Sequence, residues 1–140
     1  MGYGHSRGKG GIEGVVRPSD LATWSDNDKN DALVDAAKDL GSVGPDLYKA
    51  EGPLFGAGDR DAIVSTARRV TDAIDCPWVV LSSGVPAERF PAAVAMSREG
   101  GADGFLAGRA IWADAITAPD PLKFLREQSA DRLQSLAVAG

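Results

Sequence analysis

Three short apolar runs constrain this chain more than any other feature. Each ends at a glycine-bearing turn, and helix-length amphipathic segments separate them. The runs are "DLYKA" (46–50), "PWVVLS" (77–82) and "DGFLAG" (103–108). Strands that alternate with helices are joined by crossovers, and such connections build a parallel sheet. "PWVVLS" supports this, being apolar at consecutive positions like a strand buried on both faces. Leu33, Ala36, Ala37 and Leu40 recur at helical spacing, and Ile63, Ala67, Val70 and Ile74 mark a second helix with Asp59 as its N-cap. A third helix is expected over 87–99, interrupted or re-started at Pro91, and a short one in "RAIWADAI". A last helix opens at Asp120-Pro121, with Leu122, Leu125, Leu133 and Leu136 as its stripe. The predicted order is α, β, α, β, α, β, α, α.

The start of the chain has a different character. Six of the first fourteen residues are glycine, and little there can be buried. Residues 1–30 therefore read as a loose leader and residues 31–140 as the folded portion. A phosphate loop is excluded, because Gly8-Lys9 is followed by Gly10 where Ser or Thr is needed. The length of 140 residues suits one domain. A formal net charge of −5 argues against a general nucleic-acid or anionic-membrane binder, both of which want a basic face. The lone His5 offers no credible metal site, so none is expected, and the lone Cys76 suits a reducing compartment. No apolar run approaches the ~20 residues of a membrane span, and the start lacks the apolar core of a signal peptide. The expected location is the cytoplasm.

Chemistry is expected at the strand ends. In "DLYKAEG", Leu47, Lys49 and Glu51 share one face while Tyr48 and Ala50 take the other. In a (β/α) barrel, the C-terminal ends of the strands carry the catalytic groups. A lysine there can be a Schiff-base nucleophile if desolvation or a nearby cation lowers its pKa from a reference of about 10.4. Taken alone, a lysine at a strand end is more often a surface residue at a sheet edge. The next two runs end in "LSSGV" (81–85) and "LAGRAIW" (106–112). Glycine at a strand-to-helix turn lets backbone N–H groups approach an anion, the helix N-terminus adds favourable partial charge, and Arg109 can donate a bidentate pair to phosphate. Singly, each is ordinary turn punctuation. At three consecutive strand ends, the functional reading is the better one.

The motifs "GPDLYKAEGPL", "PWVVLSSGV" and "GADGFLAGRAIWADAI" resemble the last three strand–loop units of class I aldolases of the tagatose-1,6-bisphosphate and sulfofructose-phosphate type. The likeness runs from about residue 31 to 128. It implies an α/β fold that is part of a (β/α)8 TIM barrel, about its last three β-α units. It implies that Lys49 is the Schiff-base lysine and that Ser82, Ser83, Gly84, Gly108 and Arg109 bind substrate phosphate. The implied reaction is that of an aldehyde-lyase. A ketose phosphate is cleaved reversibly to dihydroxyacetone phosphate, or a related triose, and an aldehyde, with no metal and no cofactor.

Nothing in residues 1–30 resembles the preceding strands, so the likeness supplies no catalytic acid/base, and Glu51 reads as a local partner of Lys49. The chain is expected to be the C-terminal portion of such an aldolase, weak or inactive alone. The partner is a phosphorylated sugar or triose phosphate, and a homo-oligomer is left open. Two other readings stay open. One is a non-catalytic barrel remnant that binds a phosphorylated ligand. The other is a different phosphate-handling barrel enzyme, such as an isomerase, with Lys49 as an electrostatic group.

Overall fold

In the computed structural model the described residues are 3–4, 11–16 and 21–139. Five strands form one sheet in the order β1-β2-β3-β4-β5. They are β1 (Tyr3–Gly4), β2 (Gly11–Val16), β3 (Leu47–Glu51), β4 (Trp78–Leu81) and β5 (Gly104–Leu106). The two-residue β1 pairs antiparallel with β2, and β2 to β5 are parallel throughout.

The parallel strands follow one another across the sheet in chain order, with a helix after each of β2, β3 and β4. These helices are α1 (Asp26–Gly41), α2 (Arg60–Ala73) and α3 (Phe90–Glu99). All three pack on one face. Leu33, Val34 and Ala37 of α1, Ala67 and Val70 of α2, and Phe90, Ala93 and Val94 of α3 share a core with Tyr48, Ala50, Trp78 and Val80. The four strand residues of that core are 0–1% exposed. Connections of one hand that never reverse along the sheet put every helix on the same side. That is the layout of a sector of a barrel, whereas a doubly wound sheet covers both faces. Lys49 and Val79 belong to the other face and are only half-buried.

The expectation of a uniformly loose leader over 1–30 is corrected. Gly11–Val16 is a strand in register with β3, from Gly11 opposite Leu47 to Gly14 opposite Ala50. The parallel strands therefore number four among the described residues, where three were expected. The glycines obscured a short β-prone run, "GIEGVV". Residues 1–2, 5–10 and 17–20 of that leader lie outside the described residues. The first helix also starts earlier than the stripe suggested. Ser25 closes a capping box: its Oγ accepts from the Asp28 N–H at 3.1 Å, and Asp28 Oδ2 accepts from the Ser25 N–H at 3.0 Å.

The other helix signals fall close to their places. Asp59 caps α2 by accepting from the N–H groups of Asp61 and Ala62. Pro91 does not interrupt α3 but sits in its first turn, where a missing N–H is harmless. After β5 comes a single turn, α4 (Arg109–Trp112), then a 3-10 segment, Ala113–Thr117. The last helix is α5 (Pro121–Phe124), a π turn Leu125–Ser129, and α6 (Ala130–Ala139), with Asp120 accepting from the Lys123 N–H at 3.0 Å. Its expected stripe is only partly inward: Leu136 is buried, while Leu122, Leu125 and Leu133 are exposed. The residues facing the body of the protein are instead Ser129, Arg132 and Leu136, at i, i+3 and i+7. Among the described residues no helix is long and apolar enough to cross a membrane.

Candidate active site

Lys49 lies mid-strand on β3, on the face opposite the one α1, α2 and α3 cover. In register beside it stand Val79 of β4 and Glu13 of β2. Glu51, two residues on and on the same face, is 4% exposed and in register with Leu81. Neither Lys49 nor Glu51 is without a partner in the fold. A fully buried charge needs such compensation.

The chain then turns sharply. Gly52 and Pro53 end the strand, and the 3-10 turn Pro53–Gly56 follows. Inside it Leu54 and Phe55 adopt φ of 49° and 51°, the left-handed region that non-glycine residues rarely occupy. Two such residues in a row cost on the order of 1–3 kcal/mol each, and strain of this kind gathers at functional sites. The turn also reaches the next loop. Gly84, at φ 73°, lies so close to the Phe55 ring that a Cβ there would sit 2.7 Å from Cδ1. Glycine is thus required at position 84 for both conformation and space.

The ends of β4 and β5 open into a cleft of about 1080 Å³, walled by residues 81–87 on one side and 106–110 and 112–114 on the other. Ser82, Ser83, Gly84, Gly108 and Arg109 all line it. The two walls are tied together. Ser82 N–H donates to the Leu106 carbonyl at 3.2 Å, and Gly108 N–H donates to Ser82 Oγ at 3.3 Å. Ser82 and Ser83 are half-buried, whereas Gly84, Gly108 and Arg109 are exposed. Arg109 makes no salt bridge among the described residues, unlike Arg60, Arg69 and Arg132.

One part of the sequence expectation is corrected here. Helix α3 begins at Phe90, six residues beyond Gly84, and α4 is a single turn. Aligned peptide dipoles therefore add little at either glycine. What the cleft offers an anion is the Arg109 guanidinium, two serine hydroxyls and backbone N–H groups.

Lys49 is not part of the cleft wall but lies below it on the same sheet. Its register partner Val79 is three residues before Ser82, about 10 Å at a strand rise of ~3.3 Å per residue.

Two features escaped the sequence reading. Glu13 was absorbed into the leader, although "GIEGVV" carries a strand's β-branched residues. The strained turn at Leu54-Phe55 left no sequence signal, since nothing in "PLFG" announces a positive φ at two bulky residues.

The sequence profile of the DeoC/LacD family aldolases matches residues 12–114, which takes in β2 to β5 and the whole cleft. The chain belongs to the DeoC/LacD aldolase family. The match begins well before residue 31, so the family's sequence includes β2 and, with it, Glu13. This corrects the expectation that nothing before residue 31 belongs to the family. Members are aldolases, a class of lyase. In barrel enzymes the site lies at the C-terminal ends of the strands, where the cleft at β4 and β5 opens, and Lys49 stands mid-strand below it.

Proposed function

We propose that the chain carries the Schiff-base centre and phosphate cradle of a class I aldolase acting on a ketose phosphate. The observation that carries this reading is the arrangement on three successive strands. Lys49 stands on the face of β3 opposite α1, α2 and α3, and the cleft with Arg109 opens at the ends of β4 and β5.

Lys49 Nζ, as the neutral amine, attacks the ketone carbon of the bound sugar, and the carbinolamine loses water to give an iminium. A base removes the proton of the C4 hydroxyl, and the C3–C4 bond breaks. The aldehyde departs, and the bonding pair moves into the iminium as an enamine. Protonation of the enamine carbon and hydrolysis of the imine release the triose phosphate and regenerate the amine. Phosphate held by Ser82, Ser83 and Arg109 fixes the ketone over Lys49, so binding energy far from the reacting bond serves orientation. Glu13 shares register with Lys49 on the neighbouring strand, and it is the carboxylate we propose for exchanging the C4-hydroxyl proton. Glu51 is buried one step further along the strand and serves as a local charge partner.

The test is reductive trapping. The chain is incubated with dihydroxyacetone phosphate and borohydride, and its intact mass is measured. One adduct is expected, mapping to Lys49 and absent from Lys49→Ala. An adduct of equal yield in the variant, or none in the wild type, sinks the reading. Glu13→Gln should still form the adduct but lose cleavage.

A further inference from the structure

Asp114 places a carboxylate in the wall of a cleft that the reading above assigns to a phosphate. An uncompensated negative charge there would repel the ligand. The structure supplies a compensation from elsewhere in the fold. Arg132 of α6 donates from Nη2 to Asp114 Oδ2 at 2.7 Å. The same guanidinium stacks 5.4 Å from the centre of the Phe124 ring, and its Nη1 approaches the carbonyls of Ala110 and Ile111 at 3.5 Å. One turn earlier, Ser129 Oγ donates to the Ile111 carbonyl at 2.8 Å and is buried. The last helix thus grips the segment 110–114 at several points, immediately after Arg109.

Asp114 lines both the cleft and a second cavity of about 610 Å³, which Arg132, Phe90, Ile111 and Leu136 also line. An exposed ion pair usually does little for stability, because ordering two side chains offsets the attraction. Arg132 is different in kind. The ring and the nearby carbonyls already restrict its guanidinium, so pairing with Asp114 takes less further ordering.

We propose that Arg132 is a positioning residue for anion binding: it neutralises Asp114, so that Arg109 faces a cleft without opposing charge. This rests on the reading of the cleft as a phosphate site. The two can nevertheless fail separately.

The experiment titrates the chain with inorganic phosphate, following affinity by NMR, with circular dichroism to confirm that each variant is folded. Arg132→Ala should weaken phosphate binding by about tenfold, the order expected when one partly screened charge is left uncompensated. Arg132→Lys should recover most of the loss, because it restores the charge. The decisive variant is Arg132→Ala combined with Asp114→Asn, which removes the repulsion and should return affinity to within about twofold of the wild type. Asp114→Asn alone, which leaves the turn's other anchors in place, should bind at least as tightly as the wild type.

A double variant as weak as Arg132→Ala would make Arg132 a mere structural prop and overturn the proposal. So would unchanged affinity in Arg132→Ala when Arg109→Ala abolishes binding. A wild type that binds no phosphate would overturn the phosphate cleft itself, and this proposal with it.

Discussion

The N-terminal and C-terminal ends of β4 and β5 are built in opposite ways. At the lower end, Trp78 and Asp103 lock the two strands together. The Trp78 N–H donates to Asp103 Oδ2 at 3.0 Å, and the Asp103 N–H returns a bond to the Trp78 carbonyl at 2.8 Å. The Trp78 indole N–H donates to Thr71 Oγ1 at 2.9 Å, and that hydroxyl donates on to the Gly100 carbonyl at 2.8 Å. Gly100 lies so close to α2 that a Cβ there would sit 2.4 Å from the Cβ of Ala67. At the upper end the same strands splay into glycines, hydroxyls and an arginine with no ion pair among the described residues. The side-chain donors at the lower end are already used, whereas the Ser82 and Ser83 hydroxyls and the Arg109 guanidinium at the upper end line a cleft. In a barrel, residues at the bottom of the strands serve stability and residues at the top serve chemistry. Here the locked residues and the proposed site are only four to six positions apart along the chain.

Substitutions at the two ends should separate these roles. The largest effect belongs to the lower end. Trp78 is 1% exposed, and Trp78→Ala should cost about 3–5 kcal/mol through the cavity and the lost indole hydrogen bond to Thr71. Urea titration would measure it, and a loss below about 1 kcal/mol would break the contrast from that side. A smaller effect, of another type, is expected above. Arg109→Ala should leave stability within about 0.5 kcal/mol, because the side chain is exposed and makes no salt bridge among the described residues. Its phosphate affinity should nevertheless fall by about 1.5–3 kcal/mol, the contribution of a charge-assisted hydrogen bond. If Arg109→Ala melts early and binds phosphate normally, the two ends do not differ as described.

The same contrast explains what could be read in the sequence. The parallel sheet was legible because its strand cores are continuous apolar runs, and the helices because Asp59 and Asp120 are strong caps at their starts. The upper-end residues stood out only together, because turn glycines, serines and an arginine recur at successive strand ends, and the structure brings them to one cleft. β2 was not, since Gly11 and Gly14 weaken a strand signal that only pairing with β3 makes good. The outward turning of Leu122, Leu125 and Leu133 was equally hidden, because periodicity gives a stripe without saying which neighbour meets it. The Arg132–Asp114 pair joins residues eighteen positions apart through tertiary packing, and no local pattern announces it.

The smallest effect concerns Cys76, the one cysteine, just before the start of β4. Burial pushes its thiol above the usual range, and the carboxylates of Asp75, Asp103 and Asp46 push the same way, against a backbone hydrogen bond involving Tyr48. A raised thiol pKa means that the unfolded chain gives up its proton first as pH climbs. The stability Cys76 contributes is therefore fully present below the unfolded-state pKa of about 8.5, and is lost as pH rises through the higher folded-state value. The same shift keeps the thiol protonated, hence poorly nucleophilic, near neutrality. Alkylation by iodoacetamide at pH 8 should then run several-fold slower than for a free cysteine, and speed up only at more alkaline pH. A rate equal to that of free cysteine would mean that the lower end is open to solvent and reagent. A slow rate, beside borohydride trapping at Lys49, would place the chain's reactive nucleophile on the sheet face opposite α1, α2 and α3 and leave its softest one shielded below.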